Sequence, residues 1–143
     1  MKKFFSMTMV MLLVMGSFSC TAQNGQKKES AVAVDSKIEV YYFHFTRRCM
    51  TCNAVESETK NALQLLYPEQ LKNGAITFTS INLDDEGSKA VAQKCKAAGQ
   101  GLLVMAGDKR IDLTSQGFMY AVNNPDKLKQ EIKKAIDPLL TSK

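Results

Sequence analysis

The sequence predicts an α/β domain built on a mixed, mainly four-stranded sheet with helices on both faces, in the order β-α-β-α-β-β-α. Three observations predict it. Residues 37–45 are apolar at both odd and even positions, as in a strand buried on both sides of a sheet. Strand-period and helix-period segments then alternate, so parallel crossovers join the first strands. Further on, Ala106-Gly107-Asp108-Lys109 separates two short strands as a hairpin turn. The 143 residues suit one domain of ordinary size, with no internal repeat.

Residues 1–19 read as an address rather than as structure. Met1-Lys2-Lys3 is a short positive start, residues 4–18 are almost wholly apolar, and Ser19-Cys20 closes the run. That is the layout of a secretory signal, too short and too soon followed by polar residues for a membrane-spanning helix. The segment resembles a bacterial lipoprotein signal, in which Cys20 becomes the first mature residue and receives lipid. Cleavage after Ala22 is the rival reading. Residues 20–36, polar and aperiodic at first, are expected to be a flexible tether. Within them Ala31-Val32-Ala33-Val34 is the one stretch that could add an edge strand. The folded domain is expected over residues 37–143, in a chain exported to the periplasm-facing side of a bacterial envelope.

In the first strand Ile38, Val40 and Tyr42 alternate with Tyr41, Phe43 and Phe45. Beyond it Ala54, Val55, Ala62, Leu63, Leu65 and Leu66 recur at helical spacing, predicting a helix from about Cys52 to Tyr67, interrupted near Pro68. Residues 75–83 are rich in β-branched side chains and alternate, giving a second strand. Asp84 and Asp85 offer N-cap carboxylates for a helix through Ala90, Val91, Cys95 and Ala98. Gly99-Gln100-Gly101 breaks that helix. Residues 102–105 form the third strand and residues 110–113 the fourth. Finally, Asn124 caps and Pro125 opens a helix with Leu128, Ile132, Ala135 and Ile136 on one face, which Pro138 should end or kink.

Composition removes several function classes. Taking Lys2 and Lys3 away with residues 1–19 leaves 17 basic residues against 14 acids, net +3, too mild a balance for a nucleic-acid partner. Five of the eight methionines fall within residues 1–19, so a methionine-rich copper site has no support. With Cys20 assigned to the anchor, Cys49, Cys52 and Cys95 remain, too few for a disulfide scaffold.

The chemistry converges on Cys49-Met50-Thr51-Cys52, where a strand hands over to a helix. A cysteine at or just before a first helical turn meets unpaired backbone N–H groups and the positive helix end, both of which stabilise a thiolate. Arg47 and Arg48 add positive charge in the same direction. Cys52, one turn in, is close enough to close a Cys49–Cys52 disulfide. On this layout Cys49 attacks a thiol or disulfide and Cys52 resolves the product, with no cofactor. Other readings of the same residues stay open. The pair is half of a zinc site, for which only Cys95 and His44 could add soft ligands. It could also be an inert structural disulfide. His44, the one histidine, reads either as catalytic or as a strand-end residue bonded locally. Cys95 shares its apolar helix face with Val91 and Ala98, as a buried small residue would.

A strand, a C-x-x-C pair, a long helix, residues 77–83 followed by Asp84, a short helix and the hairpin over residues 102–113 together resemble the thioredoxin-like superfamily. The resemblance covers about residues 37–136. It implies a thiol-disulfide oxidoreductase with Cys49 as nucleophile and Cys52 as resolving thiol. It also implies that Gln100 and Gly101 form the substrate-facing loop, and that protein thiols or an integral-membrane dithiol carrier are the partners. The chain departs from the family by carrying Gly99-Gln100-Gly101-Leu102 where a cis-proline is usual. It also has Arg48 in place of a Trp and Met50-Thr51 in place of Gly-Pro. Those departures keep alive a soft-metal-binding (Cu or Zn) module and a redox-inactive adaptor as alternatives.

Overall fold

The computed structural model describes residues 37–141. Cys20, the signal-like segment and the tether with its 31–34 stretch lie outside the described residues. The elements are β1 (Ile38–His44), α1 (Met50–Leu66), α2 (Pro68–Lys72), β2 (Ile76–Asn82), α3 (Ser88–Lys94), β3 (Gly101–Ala106), β4 (Lys109–Asp112), α4 (Thr114–Tyr120) and α5 (Pro125–Thr141). The strands form one open mixed sheet, ordered β2-β1-β3-β4. β1 runs parallel to β2, with Ile38 opposite Ile76 and His44 opposite Asn82. It runs antiparallel to β3, with Phe43 opposite Gly101, and β3 pairs antiparallel with β4.

The two-sided apolar pattern of β1 has the meaning its sequence predicted. Ile38, Val40 and Tyr42 face a large core with Leu102 and Val104 of β3, closed by Val55 and Leu63 of α1 and by Leu128, Ile132 and Ile136 of α5. Tyr41 and Phe43 face the other way, into a smaller core with Leu103, Met105 and Cys95, covered by Val91 and Ala92 of α3. Helices therefore cover both faces, with α3 on one and α1, α4 and α5 on the other. Among the described residues, no helix is long and apolar enough to cross a membrane.

Several element boundaries differ from the sequence expectation, each for a local reason. α1 begins at Met50, two residues before the expected start, because Cys49 itself supplies the N-cap. Pro68 does not merely stop α1: it occupies the first turn of the short helix α2, where a missing N–H costs nothing. Asp84 and Asp85 do not cap α3 through their side chains, and that helix ends at Lys94, short of Ala98. Pro138 lies inside α5, which continues to Thr141. Leu139 and Leu140 beyond it pack on the large core, which offsets the lost backbone bond. The two-residue turn of the hairpin forms as expected, with Gly107 at φ 57°, as its first central position requires.

The helix α4 was not expected at all. It packs on α1 and β3 through Gly117, where a Cβ would meet Val55 Cγ1 at 3.2 Å. At its start, the Thr114 hydroxyl accepts a hydrogen bond from the Leu102 amide at 3.1 Å. Gly101 makes that contact feasible, since a Cβ there would stand 2.5 Å from Thr114 Oγ1. Turning the threonine away would leave the Leu102 amide without its acceptor. Gly101→Ala is therefore expected to destabilise the domain by about 1–3 kcal/mol, read as a lowered urea midpoint at unchanged m-value.

Candidate functional site

The turn between β1 and α1 is fastened at several points before it reaches Cys49. The His44 carbonyl accepts the Leu83 amide at 2.7 Å, continuing the β1–β2 ladder by one bond. The Asp84 carboxylate accepts the Thr46 amide at 2.7 Å. Asn82 Nδ2 donates to Thr46 Oγ1 at 3.1 Å and to Asp85 Oδ1 at 3.2 Å. Asp84, expected as a helix cap, is thus spent on the turn that carries the cysteines.

The two Thr46 groups, backbone first and then hydroxyl, hold the Asp84 carboxyl below its ordinary value of 3.8. A carboxyl depressed in the folded state contributes stability above its unfolded value, and loses it as pH falls through the folded value. The urea midpoint of the native protein should therefore fall more steeply below roughly pH 4 than that of Asp84→Asn.

Cys49 is the N-cap of α1, with extended backbone angles, and its Sγ accepts the Cys52 amide at 3.2 Å. Sulfur takes the place an oxygen holds in most caps, satisfying one of the unpaired N–H groups of the first turn. That donation and the positive helix end both favour a thiolate on Cys49 once the pair is reduced. The first turn of α1 carries no acidic residue to oppose this. Cys49 and Cys52 stand at disulfide distance, with Cα atoms 5.1 Å apart. They differ in access: Cys49 is exposed, whereas Cys52 is 4 % exposed.

Behind the pair, the Cys52 carbonyl accepts the Tyr42 hydroxyl at 2.8 Å and faces Arg48 Nη2 at 3.4 Å. The Arg48 guanidinium lies over the Tyr42 ring, 5.6 Å from its centroid, and pairs with Glu56 at 2.5 Å. Glu56 also takes Lys60 at 2.8 Å. Burial raises the Glu56 carboxyl, but the bonds from Lys60 and Arg48 outweigh it and hold the group below its ordinary value. The Tyr42 hydroxyl is pushed up by burial, with Arg48 opposing. Arg48 thus turns toward α1 and the rear of the pair, while Arg47 is exposed on the turn.

In front, Gln100 Oε1 lies 4.0 Å from Cys52 Sγ. Gln100, which the resemblance placed in a substrate-facing loop, thus lies beside Cys52. A cleft of about 290 Å³ runs from Gln100, lined by Lys96, Gly101, Arg110, Asp112 and Thr114 among others. Met50, next to Cys49, and Phe45, four residues before it, are 77 % and 42 % exposed.

His44 makes local contacts, and Cys95 lies in the other core. The His44 Nδ1 donates to the neighbouring Phe45 carbonyl at 2.9 Å and its ring stacks on Tyr42. Cys95 is fully buried in the smaller core, on the opposite face of the sheet from α1, and burial raises its thiol. Among the described residues, no group of three or more His, Cys, Asp or Glu side chains comes together to hold a metal. Sequence reasoning missed Tyr42 and Glu56. Glu56 follows Cys52 by one helical turn, a spacing open to inspection, but Arg48 reaching it depends on how the turn folds back.

No protein-family profile matches the sequence, and no curated protein matches it. A solved structure described as that of a malarial protein matches with a TM-score of 0.39 and 15 % identity, over 60 % of this chain and 93 % of its own. Nothing about fold or function passes from it to this chain.

Proposed function

We propose that the protein is a thiol-disulfide oxidoreductase of thioredoxin-like fold, acting as a reductase or redox relay on protein thiols and disulfides. The observation that carries this reading is the asymmetry of the pair. An exposed Cys49 caps a helix and receives an amide, while Cys52 lies buried directly behind it. A disulfide serving only as a staple has no need of one accessible, thiolate-favouring sulfur. The sheet order β2-β1-β3-β4, with its single parallel pairing, supports the thioredoxin-like assignment.

On this reading the Cys49 thiolate attacks one sulfur of a substrate disulfide. That S–S bond breaks, a mixed disulfide forms, and the departing substrate thiolate takes a proton from water. Cys52, having given its proton to water, then attacks the Cys49 sulfur. The Cys49–Cys52 bond forms and the second substrate thiolate leaves and is protonated. The substrate gains two electrons and two protons, and the dithiol becomes a disulfide. A second dithiol returns the electrons by the same steps reversed, and an integral-membrane dithiol carrier is the donor we propose. Gln100 and Gly101 face the incoming substrate, and Phe45 and Met50 give it apolar surface beside Cys49. Lipid on Cys20, at the end of the signal-like segment, would hold the domain at an exported face of a bacterial membrane.

A soft-metal module needs further ligands; Cys95 is buried in the smaller core, and among the described residues no group of three or more His, Cys, Asp or Glu side chains comes together. The test is alkylation of the reduced protein at neutral pH, read peptide by peptide by mass spectrometry. Cys49 should react faster than a free cysteine of pKa about 8.5, and Cys52 and Cys95 more slowly. Equal rates at all three would sink the proposal.

A further inference from the structure

Arg48 and Glu56 form the most enclosed ion pair beside the dithiol, with side chains 23 % and 14 % exposed. Arg48 Nε is buried with no hydrogen-bond partner, the face of the guanidinium lies over the Tyr42 ring, and its Nη2 edge carries the polar contacts. That edge meets Glu56 at 2.5 Å and the Cys52 carbonyl at 3.4 Å. The other charged groups at hand are Lys60, which also reaches Glu56, Arg47 on the exposed turn, and Asp84 beyond β2, which accepts the Thr46 amide. A positive and a negative charge thus sit within one helical turn of Cys52, both partly shielded from water.

We propose that Glu56 is a positioning residue that sets the balance between disulfide and dithiol: it neutralises Arg48 behind Cys52 and so withholds positive charge from the thiolate. The inference rests on the reading of the pair as redox-active. Its logic is electrostatic. The disulfide is uncharged, so the ion pair acts almost wholly on the reduced form, in which a thiolate is present. Positive charge nearby favours that form and negative charge disfavours it. Glu56 left without Arg48 disfavours reduction; Arg48 left without Glu56 favours it. A pair acting only as a mechanical strut has no such opposition of sign.

The experiment equilibrates the full-length protein with buffers of reduced and oxidised glutathione at one pH and ionic strength. Two glutathione thiols give up two electrons and two protons as their own S–S bond forms. The Cys49–Cys52 bond breaks to two thiols, one of which releases its proton to water where the thiolate is the stable form. Glu56→Gln should shift the equilibrium toward the dithiol by about three- to tenfold, and Arg48→Met toward the disulfide by a similar factor. A tenfold change is about 30 mV for this two-electron couple. The double variant should return to within about twofold of the native protein. Should Arg48→Met fail to fold, Arg48→Gln, which keeps a donor for the Cys52 carbonyl, takes its place. Single-variant shifts in the same direction, shifts below threefold, or a double variant that does not return would each overturn the inference. A native protein that forms no reversible disulfide with glutathione would instead overturn the redox reading beneath it.

Discussion

Replacing Cys49 by Ser is expected to abolish dithiol-disulfide exchange altogether, while replacing Cys52 by Ser stops the reaction halfway. The two sulfurs are adjacent in space but not equivalent. Cys49 is exposed at the helix cap with an amide aimed at its sulfur, so it is the one a substrate can reach. Cys52 is nearly enclosed, beside Gln100 and beneath the Tyr42–Arg48 contacts. Without Cys49 no mixed disulfide forms. Without Cys52 the mixed disulfide forms and has no partner to resolve it, so it should accumulate and be visible by non-reducing electrophoresis and mass. The opposite outcome, with Cys52 trapping substrate and Cys49 dispensable, would reverse the assigned roles.

The largest effect on stability is expected from Phe43→Ala. Phe43 is fully buried at the centre of the smaller core, stacked on Tyr41 at 5.8 Å between centroids and packed with Leu103, Met105 and Cys95. Among the described residues only the short helix α3 covers this side, so few neighbours can move in to fill the space. Truncation should cost about 3–5 kcal/mol, a large part of the roughly 5–15 kcal/mol typical of a domain. Urea denaturation reads it as a midpoint shift. A loss below about 1 kcal/mol would mean that the α3 face collapses onto the gap.

How much of this was legible in the sequence depends on the reach of the interaction concerned. β1 was legible because its apolar residues fall on both faces, a pattern that only a covered central strand satisfies. The helix start at the cysteines was legible because capping is local, although Cys49 rather than Cys52 marks the boundary. α4 was not, because seven residues with a central Gly117 carry little helical signal of their own. The absent Cβ serves the approach to Val55, a contact made far along the chain. Asp84 misled for a similar reason. Two acids before a helix read as caps, yet the carboxylate is drawn to the Thr46 amide, 38 positions away. Pro138 read as a stop or a kink because its missing N–H is a local penalty, while the packing of Leu139 and Leu140 that carries the helix past it is tertiary. At the site, the cysteines and Arg48 could be named from sequence, and Gln100 and Gly101 from the family resemblance; Glu56, which Arg48 meets by folding back, could not.

The fastening of the turn has a consequence for recognition. Thr46 is tied to Asp84 and Asn82 on one side, and the Cys52 peptide is tied to Tyr42 on the other. None of these bonds involves a sulfur atom, so breaking the disulfide releases none of them. The fastening of the turn is therefore common to the oxidised and the reduced protein. A partner that discriminates the oxidised from the reduced protein meets the difference at the sulfurs themselves, in the bond between them and in the charge of the Cys49 thiolate.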